Sequence, residues 1–143
     1  MEKINFGKLF KSLPKSSLST NDGSAVGKYP FFTSSNDLKK KTDTPIYYNI
    51  AIIIGDGGSA NINYCDTPFA TNSHCYVYSS DKVNIKYVYY FLKSKIYLIQ
   101  KGFKGAGIKN ISKKYIEENI EIDVPTLDEQ NRIVTILDKI EII

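Results

Sequence analysis

The stretch VPTLDEQNRI, residues 124–133, decides how this chain reads. Thr126 followed three residues later by Glu129 forms a capping box, in which each side chain can satisfy the other residue's orphaned amide at the start of a helix. Ile133, Ile136, Ile140 and Ile143 then recur at spacings of three, four and three, with Leu137 beside them. That is the a/d seam of a coiled coil, here under two heptads long. Such a helix has two destinations, its own domain or another polypeptide, and spacing alone leaves both open.

Immediately upstream, Ile120–Val124 reads as a strand, and Ser112 caps a predicted short helix over Lys113–Glu118. GFKGAGIKNI, residues 102–111, is a glycine-rich basic loop. Between Val83 and Gln100 the pattern predicts a helix with Ile85, Val88, Leu92, Ile96 and Ile99 on one stripe and Gly102 as its stop. Earlier segments read as strands: Ile46–Ile54, ending at GDGG, then Ala60–Tyr64 and Ser73–Tyr78. In the last of these, His74, Tyr76 and Tyr78 should face one side and Cys75 and Val77 the other. KYPFFTSSN, residues 28–36, predicts an edge strand, because Pro30 cannot donate to a ladder. A loop over Leu13–Lys28 and a short helix or strand around Ile4–Leu13 complete the chain. Together these predict an α+β fold: a twisted, mostly antiparallel sheet with flanking helices and a C-terminal helix of coiled-coil type. The organisation expected is a body over residues 1–125 and the start of a helix over 126–143.

The 143 residues amount to one domain, long enough for a core without metal or disulfide support. Eleven Tyr and seven Phe favour strands and broad contact surfaces. Two cysteines make no disulfide framework, and MEKINFGKLF lacks the apolar stretch of a signal peptide, so a cytoplasmic location is expected. The longest wholly apolar run, Ile50–Ile54, falls far short of the roughly 20 residues that cross a bilayer, so no membrane partner is expected. The net charge of +4 is unevenly spread: residues 1–45 sum to +4, 46–80 to −2, 81–115 to +8 and 116–143 to −6. A basic body for a polyanion and an acidic tail for a different contact fit this layout, as does plain lysine bias on solvated faces.

Catalytic motifs fail on spacing or geometry. Gly55, Gly57 and Ala60 satisfy G-x-G-x-x-A, yet the helix that should hold a pyrophosphate is missing from the following INYCDTPFATN. The glycines read instead as a tight turn that needs positive φ. His74 and Cys75 are adjacent on a strand and point apart, so they cannot share a proton. Cys65, His74 and Cys75 lack the paired spacing of a structural zinc site. No phosphate-loop string, amino-methylation tetrapeptide or E-x-K nuclease triplet occurs. No catalytic residue, metal or resident cofactor is therefore expected.

What survives is a binding constellation. Lysines 101, 104, 109, 113 and 114 surround Gly102, Gly105 and Gly107, where bare amides and flexible cations can approach phosphates. Lys104, Lys109 and Asn110 are the expected phosphate contacts. Polar clusters supply Ser34, Ser35, Asn36, Ser59, Asn72 and His74 as candidates for base or sugar contact. Each cluster on its own also reads as an ordinary turn.

Taken in order, KYPFFTSS, IIIGDGGSANI, FATNSHCYVY, GAGIKNISKKYI and IEIDVPTLDEQNRIVTIL resemble the target recognition domain of a type I restriction-modification specificity subunit. The likeness spans nearly the whole chain and is most specific over Ile111–Leu137. It implies a non-catalytic, sequence-specific component that binds double-stranded DNA at a half-site and docks methyltransferase (modification) subunits. Those subunits would bring S-adenosylmethionine, ATP and Mg2+. The family plan has two recognition domains whose long helices pair antiparallel, whereas this chain carries one domain and the opening turns of one helix. The resemblance therefore implies a homodimer through Ile133, Ile136, Leu137, Ile140 and Ile143. A rival reading is a specificity-like decoy that captures modification subunits without acting on DNA.

Overall fold

A computed structural model describes residues 1–35 and 39–141 of the chain. The fold is α+β, as the sequence predicts. The chain opens with β1 (Glu2–Asn5), the single-turn α1 (Phe6–Leu9) and the short β2 (Lys11–Ser12), so the N-terminal segment is both helix and strand.

The spine of the domain is β5 (Ala51–Gly55). It pairs antiparallel with β6 (Asn63–Cys65) on one side and β8 (Cys75–Ser79) on the other, and β8 pairs in turn with β2. Every β5 residue is buried. Its period of two sends Ile52 and Ile54 into an apolar cluster with Phe6, Phe10, Tyr78, Val88 and Leu92. Ala51 and Ile53 enter a second cluster with Tyr47, Cys65, Phe69, Cys75 and Val77. A strand covered on both faces needs no polar face, and this is why the sequence there is an unbroken apolar run. The strand is nonetheless shorter than the expected span over Ile46–Ile54: Ile46, Tyr48 and Ile50 are exposed, whereas Tyr47 turns inward and bridges to Phe69. Along β8, Tyr76 and Tyr78 face the first cluster and Cys75 and Val77 the second, as the alternation predicts. His74 belongs to the turn before that strand rather than to the strand itself.

A second sheet, ordered β4-β3-β7, is built from β3 (Tyr29–Phe32), β4 (Lys40–Thr42) and β7 (Ala70–Thr71). β3 is central here, not at an edge. Pro30 is accommodated because it faces only Lys41 of β4, while the parallel ladder to β7 begins one residue later, at Phe31.

The helix expected over residues 83–100 is two helices, α2 (Ile85–Ser94) and α3 (Tyr97–Gln100). Asn84 caps α2 by accepting the Tyr87 N–H at 3.2 Å. At the other end the Ser94 hydroxyl donates to the Phe91 carbonyl, and the Lys95 N–H is shared between the Phe91 and Leu92 carbonyls, so the turn tightens and the helix stops. Ile96 consequently leaves the stripe and stands 36% exposed, while Ile85, Val88, Leu92 and Ile99 are buried. Ser112 caps α4 (Lys113–Asn119) as predicted, accepting the Tyr115 N–H at 3.1 Å. β9 (Glu121–Val124) then pairs antiparallel with β1.

α5 (Leu127–Glu141) starts at Thr126, whose hydroxyl accepts the Glu129 N–H at 3.3 Å. Only this half of the box forms, because the Glu129 carboxylate reaches forward to the Arg132 guanidinium at 2.6 and 2.9 Å. The helix has a partner in its own chain: it packs along α2. Gln130 is buried, accepting the Asn84 N–H and donating to the Pro125 carbonyl, both at 2.9 Å. Further along, Asp138 accepts the Tyr90 hydroxyl at 2.6 Å and pairs with Lys86 at 2.9 Å, contacts that hold its carboxyl below the usual range, Lys86 first. The isoleucine seam is divided by this packing. Ile133 leans on the first apolar cluster with Val134, and Leu137 is half-buried, whereas Ile136 and Ile140 are 45% and 58% exposed. Ile143 lies outside the described residues.

Burial has an electrostatic consequence that can be measured. The phenols of Tyr47, Tyr64, Tyr76, Tyr78 and Tyr87 are all pushed above the ordinary tyrosine value, in each case chiefly by desolvation. A phenol raised in the fold stabilises it fully below its unfolded value of about 10, and the contribution is lost as pH rises beyond that point. Thermal unfolding at pH 11 should therefore occur well below its temperature at pH 9. For Tyr78, fully buried beneath Phe6 and bonded to Glu117 at 2.9 Å, the loss approaches about 1.4 kcal/mol per pH unit. An unfolding temperature that stays flat across this window would contradict the burial of these rings.

Candidate nucleic-acid interface

The end of β5 is where the site is assembled. Gly55 leaves the strand into Asp56–Gly57–Gly58, and the turn's positive φ is carried by Gly58, at +83°. Gly55 serves a different purpose: a Cβ there would lie 2.6 Å from the Ser34 Cα and 2.7 Å from the Asn61 side-chain nitrogen. The close approach is stapled by Asn61, itself buried, whose amide donates to the Ser34 and Ser59 carbonyls at 3.1 and 3.2 Å and accepts the Gly55 N–H at 3.1 Å. The segment at Ser34 and the turn over residues 55–61, distant in sequence, are thereby fixed together.

The basic loop docks on the same turn. Lys104 and Asn110 exchange two backbone hydrogen bonds, at 2.8 and 2.9 Å, and close a hairpin. Its base is tied down by the Gly58 N–H donating to the Lys109 carbonyl at 3.0 Å and the Ile111 N–H donating to Asp56 at 2.9 Å. Gly105 and Gly107, at φ +139° and +118°, adopt backbone conformations that few other residues tolerate, which lets the hairpin turn in so few residues. All of residues 104–110 are exposed.

Between turn and hairpin lies an open cleft of about 460 Å3. Five of the residues expected to contact DNA, Ser34, Ser35, Ser59, His74 and Asn110, line it together. Lys104 and Lys109 stand exposed on the hairpin that forms one wall. Asn36 lies outside the described residues. Asn72 is placed differently: it is buried, its amide donates to the Thr20 hydroxyl at 3.0 Å, and its carbonyl oxygen accepts the His74 N–H at 3.0 Å. Those groups hold the turn that presents His74 and do not reach the cleft. Asn72→Ala should accordingly destabilise the fold by about 1–3 kcal/mol, the cost of stranding buried polar partners, as read by denaturant unfolding. A stable variant with altered duplex preference would instead put Asn72 at the reading surface.

Residues that the sequence did not single out complete the site. Asp56 lines the cleft with its carboxylate between Lys15 Nζ at 3.1 Å and His74 Nδ1 at 3.3 Å, and Lys15 also lies over the Tyr76 ring. Ile108 lines it too, from the hairpin. Cys75 faces away, its thiol pushed up to about 12 by burial and then by the Asp56 charge, a setting that keeps the sulfur protonated and unreactive. Among the described residues, no group of three or more His, Cys, Asp or Glu side chains is placed to hold a metal ion. None of the described helices is long and apolar enough to cross a membrane.

The domain is a mixed sheet fold with hydrogen-bonding side chains gathered beside a lysine-bearing hairpin, and solved structures share the architecture. The S subunit of a type I restriction-modification system from M. genitalium superposes with a TM-score of 0.83 at 23% identity, over 98% of this chain and 38% of that one. The HsdS subunit from Thermoanaerobacter tengcongensis gives 0.67 at 20% identity, over 98% and 37%. A chain from a structure describing complex assembly and conformational transition of the type I R-M system gives 0.72 at 18%, over 98% and 38%. The present chain thus spans well under half the length of each. The sequence profile of the type I restriction modification DNA specificity domain matches residues 1–142, and the chain belongs to that family. No curated protein sequence matches it.

Proposed function

We propose that this chain reads one half-site of double-stranded DNA and carries that specificity to methyltransferase subunits, which supply the chemistry and its cofactors. The observation that supports it best is the convergence of Ser34, Ser35, Ser59, His74 and Asn110 on one cleft beside an exposed, lysine-bearing hairpin. Hydroxyl, amide and imidazole groups can pair with base edges, and the lysines can meet phosphates without reading sequence. The exposed Ile136 and Ile140 on α5 are the surface assigned to a second copy or a modification subunit, in an acidic segment of the sequence, whereas the hairpin lies in a basic one.

Duplex binding by the chain mixed with its modification subunit, titrated with salt, tests this. Affinity should fall steeply and linearly on a log–log plot, as counterion release requires. Capture of the modification subunit with no duplex bound at any salt concentration would overturn the DNA reading and leave the decoy.

A further inference from the structure

We propose that Ile108 is a base-reading residue whose side chain packs against the 5-methyl group of a thymine in the major groove. The inference rests on the DNA reading above and deepens it. Ile108 is 81% exposed, on a hairpin whose neighbouring side chains are those of Lys104, Lys109 and Asn110. An aliphatic side chain set among cations and glycines has no packing role in the free fold. Its mounting is firm, because the backbone bonds of Lys104, Asn110 and Lys109 fix the hairpin to itself and to the GDGG turn. A rigid apolar tip between two lysines suits a groove whose walls are phosphates and whose floor offers a methyl group.

The choice of groove follows from the side chain's chemistry. Ile108 carries neither a donor nor an acceptor, so it can read only an apolar feature of a base edge. The thymine 5-methyl group is that feature, and it lies in the major groove, where apolar side chains read it. Asp56 lines the same cleft with its two oxygens engaged by Lys15 and His74.

The test uses the full chain mixed with the modification subunit. A randomised duplex library is first selected for binding, and each thymine of the enriched site is then replaced in turn by deoxyuridine, which lacks only the methyl. One replacement should weaken wild-type binding about fourfold, the factor expected for burying a single methyl group. Ile108→Ala should bind the thymine and deoxyuridine duplexes equally, while unfolding at the wild-type temperature. Wild-type indifference to every replacement overturns the inference. So does an Ile108→Ala variant that still discriminates, or one that loses affinity with the methyl preference unchanged. A library in which nothing is enriched overturns the DNA reading itself, and this inference with it.

Discussion

Replacing Lys104 and Lys109 together with alanine is expected to weaken binding to every duplex by a similar factor and to lower the salt slope of binding by about 2. Both side chains stand exposed on the hairpin, and neither contributes to the apolar clusters, so the fold should be unaffected. A lysine that neutralises one phosphate releases about one counterion, and its loss removes that increment regardless of base sequence. Preference among duplexes should persist, because the groups suited to base edges sit in the cleft behind the hairpin. An unchanged slope would show that these lysines are not the grip, and a changed preference would move them from positioning to reading.

Gly55→Val should be the most damaging single substitution near the site. The first side-chain carbon alone would fall 2.6 Å from the Ser34 Cα, against backbone that cannot rotate away, and β5 is buried along its whole length. Overpacking of this kind costs about 3 kcal/mol, or about 10 °C in unfolding temperature for a domain of this size. The same displacement would pull Ser34 and Asn61 apart, so sequence discrimination should suffer in the protein that remains folded. A variant of normal stability and normal discrimination would mean that the approach of Ser34 to β5 does not shape the cleft.

The parts of this molecule that were legible in its sequence are those written in local signals. Ser112 and Thr126 announce their helices because a cap is satisfied within three residues. Ile52–Ile54 announce a doubly covered strand because both periods of the pleat are apolar. Where a local signal competes with a tertiary one, the reading fails. Pro30 looks like an edge marker, but its position one residue short of the β7 ladder lets β3 sit in the middle of a sheet. Ser94 looks like an ordinary surface position until its hydroxyl bonds back to Phe91 and the helix ends. The terminal helix leaves its destination open in the sequence, because nothing near Gln130 reveals Asn84 as its partner.

The site shows the same division. Residue types suited to DNA were visible in separate turns, but their meeting depends on Asn61 and Gly55, whose roles are purely geometric. Asn72, expected at base or sugar, and Asn110, expected at phosphate, are the same residue type. Only the fold separates the one that spends its amide on Thr20 and His74 from the one that faces the open cleft. Asp56 was read as part of a turn, since its partners Lys15 and His74 lie 41 residues upstream and 18 downstream.

The central claim is that this cleft reads bases, and a randomised duplex library selected in parallel by the wild type, His74→Ala and Asn110→Ala tests it most directly. The account predicts one enriched motif for the wild type, relaxed at one or two positions in each variant, with residual binding to unselected duplexes unchanged. Identical motifs from all three proteins would contradict it.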